Sequence, residues 1–456
     1  MPPDLLPVGL AAVGFTATCT LFAWRRTAWF APAVLWSGFC LAGILALWVV
    51  VVSGVHLPAL GLSPMPTIRL GEQFAPTALF FSVQALIGPL SVLGWRPAAG
   101  PADAENGVGG ASIRAAQALR EALGRARASG AARLYALVAA TVCALHLAMI
   151  DRDAFYLNSE YLSLADPTRN GVGAGVGAFV NNVLRPLALP AFLLLAIRDR
   201  PEGAARRGPD LHAALLLGIC AYAFAFSLAV YSRYLMVYVF VFFMGRVFSH
   251  RRGGTGAIVA FALYTALILG CFVVALAGRG HATQGLASVL PVIEALDVGH
   301  LGWLAAKLGA TSFDAGMSFA NALRHAPVYD PGYQALSFSP LPSFLDGFDA
   351  GEMEQRINIY VPFSAFGEAV HFHPLAPPLL FAACLAATRQ LTLGFFRDGD
   401  ALSAALFPLY LVCLLKLQTY PIRASLRIVV AIAVISWLSV RWRRRAAERG
   451  MQAVPA

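Results

Sequence analysis

Charge is what this chain has least of. Asp, Glu, Lys and Arg together make up 13% of its 456 residues, and only 24 residues are acidic. With 58% hydrophobic residues and a mean hydropathy of +0.67, that scarcity excludes a soluble enzyme. Cysteine is sparse too. All 7 Cys fall inside long apolar runs, so neither a disulfide framework nor a zinc site is suggested. The apolar runs lack the period-two alternation of a membrane barrel, which leaves helices. No basic n-region or small-residue cleavage site marks the first run, so it reads as a retained helix. There is no convincing internal repeat and no soluble domain, hence no nucleotide-binding fold and no expected cofactor. The Gly run "NGVGAGVGA" leads into an apolar span, where close helix packing is the better reading. His56, His281, His300, His325, His371 and His373 are scattered without the i, i+4 spacing of a metal helix, so no metal site is expected.

What is present is a set of long apolar runs. A span needs roughly 20 apolar residues, and about eleven candidates meet that need. They are 5–24, 28–53, 74–94, 134–150, 174–197, 211–231, 234–248, 256–277, 366–387, 401–420 and 424–440. The expected fold is an all-α polytopic integral membrane protein, a single membrane domain over 1–456 with one large late outside loop. Orientation follows from arginine. With Arg25 and Arg26 in the cytoplasm, every second loop is basic, and about 22 of the 34 Lys and Arg fall in those loops and the tail "RWRRRAAER". The N-terminus is then outside and the C-terminus inside. The net charge of +10 is mostly this topology signal, so nucleic acid is not an expected partner.

Two connections are long. Residues 97–133 form a basic cytoplasmic loop in which Ile113, Ala116, Leu119 and Leu123 fall at helical spacing beside arginines. A helix lying on an anionic leaflet and a plain basic tether both fit. The outside loop, 278–365, is a cap. Its first half reads as one or two helices, and its second half, "APVYDPGYQALSFSPLPSFLDGFD", as an irregular packed lid over a membrane cavity.

Chemistry is expected where that loop ends, in "PFSAFGEAVHFHP". On a helix from Gly367, Glu368 and His371 share a face, three residues apart. A carboxylate beside an imidazole suits a general base that activates a sugar hydroxyl, which makes both catalytic candidates. His373, before Pro374, is a substrate-binding candidate; hydrogen bonding to loop carbonyls is the alternative for both histidines. A second constellation is cationic and lies outside, where topology does not require it. Arg233 sits in the short turn "YSRYL", Arg423 and Arg427 face the same way in "TYPIRASLRI", and Lys416 lies about one turn below the preceding helix end. Arginine forks bind phosphate oxygens bidentately, so these residues suit a lipid diphosphate; snorkelling at helix ends is the alternative. Arg185, flanked by Asn181, Asn182 and Pro186, lies near the middle of its span. An ionisable residue at that depth normally faces a polar cavity or a partner, which adds it to the substrate-binding set; a misplaced helix boundary is the alternative.

This combination resembles the bacterial O-antigen polymerases, the oligosaccharide repeat-unit polymerases of the inner membrane. "SFSPLPSFLDGFD" followed by "PFSAFGEAV" is similar to that family's Pro-rich stretch running into a Pro-x-Ser-x-x-Gly-Glu element. "YSRYLMVYVFVFFM" is similar to its helix opening on a Ser-Arg pair. The continuation "AVHFHPLAPP" departs from the family's aromatic, Asn-containing run, which separates His371 and His373 from the family pattern. The resemblance implies transfer of a growing glycan from undecaprenyl diphosphate onto a new lipid-linked repeat unit at the periplasmic face. It also implies a flippase and a chain-length regulator as partners. The alternatives are an O-antigen ligase, with lipid A core as acceptor, and a transporter or flippase for a lipid-linked or anionic solute.

Overall fold

The computed structural model describes residues 5–27, 31–53, 70–94, 124, 127, 130–150, 176–197, 211–232, 234–249, 255–279, 285–296, 319, 323, 330–339, 364–396 and 401–452. Among the described residues the regular structure is entirely helical. Five helical stretches among the described residues are long and apolar enough to cross a membrane: Leu6–Arg26, Pro32–Val49, Phe74–Ser91, Ala132–Met149 and Leu211–Ala229. By length and composition the chain is that of a multi-pass membrane protein. Shorter apolar stretches cover Val183–Ala196, Tyr234–Arg246, Ala266–Ala275 and Ser425–Leu438.

The chain divides into two compact units, Met1–Leu119 with Ala305–Ala456, and Arg120–Leu304. In the first unit, α1 (Leu5–Arg26), α2 (Pro32–Ser53), α3 (Leu70–Ala85) and α4 (Ile87–Ser91) pack together. The predicted span 74–94 is broken at Leu86, and the sequence shows why. Pro89 has no N–H to give the carbonyl of Ala85, and the Ser37 hydroxyl of α2 donates to it instead, at 2.8 Å. Gly88 permits the approach, since a Cβ there would meet the backbone oxygen of Ala33 at 2.6 Å. Ser37→Ala should strand the Ala85 carbonyl in a buried contact and cost about 1–3 kcal/mol. Thermal unfolding in detergent measures this, and an unchanged midpoint would contradict the account.

In the second unit, α5 (Gly130–Met149), α6 (Val176–Ala196), α7 (Leu211–Ala229), α8 (Tyr234–Ser249) and α9 (Thr255–Arg279) form a bundle. The Arg127 guanidinium donates to the carbonyl of Ile197, a cation placed where the end of α6 leaves carbonyls unpaired. The rest of the proposed interfacial helix, 113–123, lies outside the described residues. Between α7 and α8, Tyr231 adopts φ 46°, uncommon for a residue with a side chain. Its buried phenol holds the Ser288 hydroxyl at 2.7 Å, in the connection read from the sequence as the outside loop. That loop opens with a 3-10 turn, Leu286–Ser288, and α10 (Val289–Glu294), as its Leu and Ile stripes predict.

The remaining helices belong to the first unit: α11 (Pro331–Ser337), α12 (Ala365–Phe372), α13 (Ala376–Phe396), α14 (Ala401–Thr419) and α15 (Ile422–Gln452). Here two expectations change. The stretch read as an irregular lid contains the helix α11, capped by Asp330, whose carboxylate accepts from the Tyr333 amide at 3.1 Å, with Pro331 at the first position. The span read as 366–387 is two helices. Pro374 forces His373 into an extended conformation, φ −161° and ψ 147°, which ends α12 and lets α13 start afresh.

Candidate functional site

The Gly-Glu element forms the first turns of α12. Ser364 caps it, accepting from the Gly367 amide at 3.1 Å, while Phe366 packs edge-on against Phe80 of α3. These contacts fix Glu368 one turn into the helix with no solvent exposure at all. Each of its carboxylate oxygens has a defined partner. Oε1 accepts from the Tyr333 hydroxyl of α11 at 2.5 Å. Oε2 accepts from the backbone amide of Ile422, also at 2.5 Å. Ile422 is the first residue of α15, so its N–H lacks a partner within that helix, and a negative charge there is favoured by the helix dipole.

Arg423 completes the arrangement from the next position. It is 1% exposed, and its Nη1 donates to the Leu336 carbonyl at 2.6 Å. Leu336 lies in the last turn of α11, where its carbonyl also accepts from the Ser339 amide at 3.0 Å and a cation is welcome. The loop helix therefore carries Asp330 at its N-terminus, Arg423 at its C-terminus and Glu368 on its tyrosine. Arg427, four residues on and half-buried, donates from Nε to the Arg423 carbonyl at 3.2 Å. Lys416 lies in the last turn of α14, its ammonium 5.9 Å from the centre of the Tyr420 ring.

The predicted residues thus come together in part. Glu368, Arg423 and Arg427 belong to one arrangement, and Lys416 lies at the end of α14 from which the chain turns into α15. His371 shares α12 with Glu368 and is half-buried. His373 lies between the helices, exposed, its Nδ1 accepting from the Leu375 amide at 3.2 Å; it does not extend the face shared by Glu368 and His371. Arg233 lies outside the described residues. Arg185 belongs to the other unit, in α6, and the side chains of Asn181 and Asn182 lie outside those described.

Tyr333 escaped the sequence reading. The signal for its helix was there, an Asp-Pro pair at the positions that start helices. Its contact with Glu368, 35 residues away, had no local signature.

Chemically, the arrangement offers a buried carboxylate and a buried guanidinium, each bonded to the short helix α11. No family model, curated protein or solved structure matches the chain, so its reading rests on this geometry.

Proposed function

We propose that the protein is a polyprenyl-diphosphate-dependent glycosyltransferase of the bacterial inner membrane. It spans the membrane about eleven times with its N-terminus outside. As a polymerase, it moves a growing glycan from undecaprenyl diphosphate onto the terminal sugar of a new lipid-linked repeat unit. The observation that carries this reading is the joint hold of Glu368 and Arg423 on the loop helix α11. Base and cation sit side by side under one removable element, as a transfer that must exclude water requires.

In the proposed reaction the acceptor hydroxyl displaces the Tyr333 phenol from Oε1 of Glu368. The Ile422 amide keeps Oε2 in place. The hydroxyl oxygen attacks the anomeric carbon of the donor glycan and gives its proton to Glu368. The bond from that carbon to the diphosphate oxygen breaks, and the diphosphate leaves with the bonding pair. Arg423 and Arg427 stand one helical turn apart to receive the diphosphate, with Lys416 as a further cation. His371, on the Glu368 face, helps orient the acceptor.

Two experiments test this. Purified protein in vesicles, given only undecaprenyl-diphosphate-linked repeat units, should build a ladder of longer lipid-linked glycans. Transfer that occurs only when lipid A core is supplied would make it a ligase, and no transfer with either acceptor would overturn the reading. Separately, alkaline phosphatase fused after Gly280 should be active, and fused after Arg449 inactive. The reverse pattern would remove the site from the outer face.

A further inference from the structure

A second polar cluster lies in the unit formed by Arg120–Leu304, and nothing in the proposed transfer uses it. Arg185 is the third residue of the apolar stretch Val183–Ala196 of α6. A guanidinium at that depth is costly without an anionic or polar partner. None of the described residues of α5 to α9 is Asp or Glu. The Arg185 guanidinium instead lies over the ring of Phe226, 5.2 Å from its centre, and its Nε has no hydrogen-bond partner among the described residues.

The same Phe226 ring meets a histidine edge-on, His146 in the last turn of α5, with centroids 4.6 Å apart. His146 has no solvent exposure. Its Nδ1 shares a proton with the Tyr222 hydroxyl at 2.7 Å, while Nε2 has no partner among the described residues. With Tyr222 donating to Nδ1, the imidazole proton sits on Nε2 and makes it a donor. One aromatic ring thus gathers a half-buried guanidinium and a buried imidazole, each with one nitrogen that has no partner among the described residues. The backbone is held as well, since the Tyr238 hydroxyl donates to the Arg185 carbonyl at 3.1 Å.

Position narrows the ligand. His146 and Phe226 lie in the last turns of α5 and α7, and Tyr238 in the second turn of α8. Arg133 and Arg246 mark the opposite end of the same bundle. The cluster therefore sits toward the end away from the basic loops, one to two turns inside the apolar zone. An anion must reach it there.

We propose that Arg185 and His146 form a phosphate-binding site, with the guanidinium fork and the imidazole N–H as donors to the phosphate oxygens. The phosphate or diphosphate comes either from a polyprenyl lipid or from free solute. The site stands whether or not the protein transfers sugar, because it shares no residue with the Glu368 arrangement.

The test is binding, not turnover. Full-length protein in nanodiscs of zwitterionic lipid is titrated with a radiolabelled short-chain polyprenyl diphosphate and, separately, with inorganic pyrophosphate. An Arg427→Ala background keeps the other proposed diphosphate site from masking the result. Arg185→Gln and His146→Gln should each weaken binding roughly tenfold or more, the loss of a charge-assisted or buried donor. Arg185→Lys, which keeps the charge but not the fork, should bind between those limits. Dependence seen only with the polyprenyl probe identifies a lipid source. Equal dependence with pyrophosphate identifies a free one. Wild-type affinity for both probes in His146→Gln and Arg185→Lys overturns the proposal, as does an absence of binding to the parent protein.

Discussion

Glu368→Gln should yield a folded protein that leaves single repeat units on their lipid. Losing a general base lowers the rate about 10²–10⁴-fold. Folding should survive because glutamine can satisfy both neighbours. Its carbonyl accepts from the Ile422 amide, and its NH₂ donates to the Tyr333 oxygen, which can rotate its own hydrogen away. What is lost is the charge at the α15 terminus, about 0.3–1 kcal/mol in ordinary surroundings. Tyr333→Phe is the informative companion. If the phenol only occupies the place of the acceptor hydroxyl, removing it should leave the maximal rate within about threefold, far short of a lost base. Chain synthesis at a normal rate by Glu368→Gln would place the chemistry elsewhere. Equal collapse in Glu368→Gln and Tyr333→Phe would make the carboxylate a lid fastener and nothing more.

That pair of variants also marks how far the sequence could be read. The helices were legible because apolar length is a local property. So was the shared face of Arg423 and Arg427, since i, i+4 spacing on a helix needs no tertiary knowledge. Glu368 stood out by its Gly-Glu setting. Its bonds to Tyr333 and Ile422 did not, because they join residues 35 and 54 positions apart, and nothing local encodes such a pairing. The division of 366–387 was half legible. Pro374 announced a break, but the bond between the Leu375 amide and the His373 ring, in the turn between the two helices, had no local signature. His146 gave no signal, being one histidine in an apolar run. Only Phe226, 80 residues later, brings it to Arg185.

The cationic side of the site should respond in a graded way. Arg423 has a structural contact and a proposed catalytic one, so its variants must separate the two. Arg423→Ala removes a fully buried side chain and one donor to the Leu336 carbonyl, which keeps the Ser339 amide, so the lost packing predicts instability as well as lost polymer. Arg423→Lys keeps a cation that can still donate to one carbonyl but cannot offer two parallel donors to a diphosphate. It should be expressed normally, retain the α11 contact and make short chains only. Arg427→Ala disturbs less, because Arg427 is half-buried and its described bond is to the Arg423 backbone oxygen. Loss of one partner of a desolvated charged contact costs about 2–5 kcal/mol, so its polymer yield should fall by about one and a half to three and a half orders of magnitude at normal protein level. Full-length polysaccharide made by the combined Arg423→Lys and Arg427→Ala protein would exclude a diphosphate from this end of the last helix. Normal chains from Arg427→Ala with none from Arg423→Lys would narrow the diphosphate contact to a single guanidinium, the one that also holds the loop helix closed.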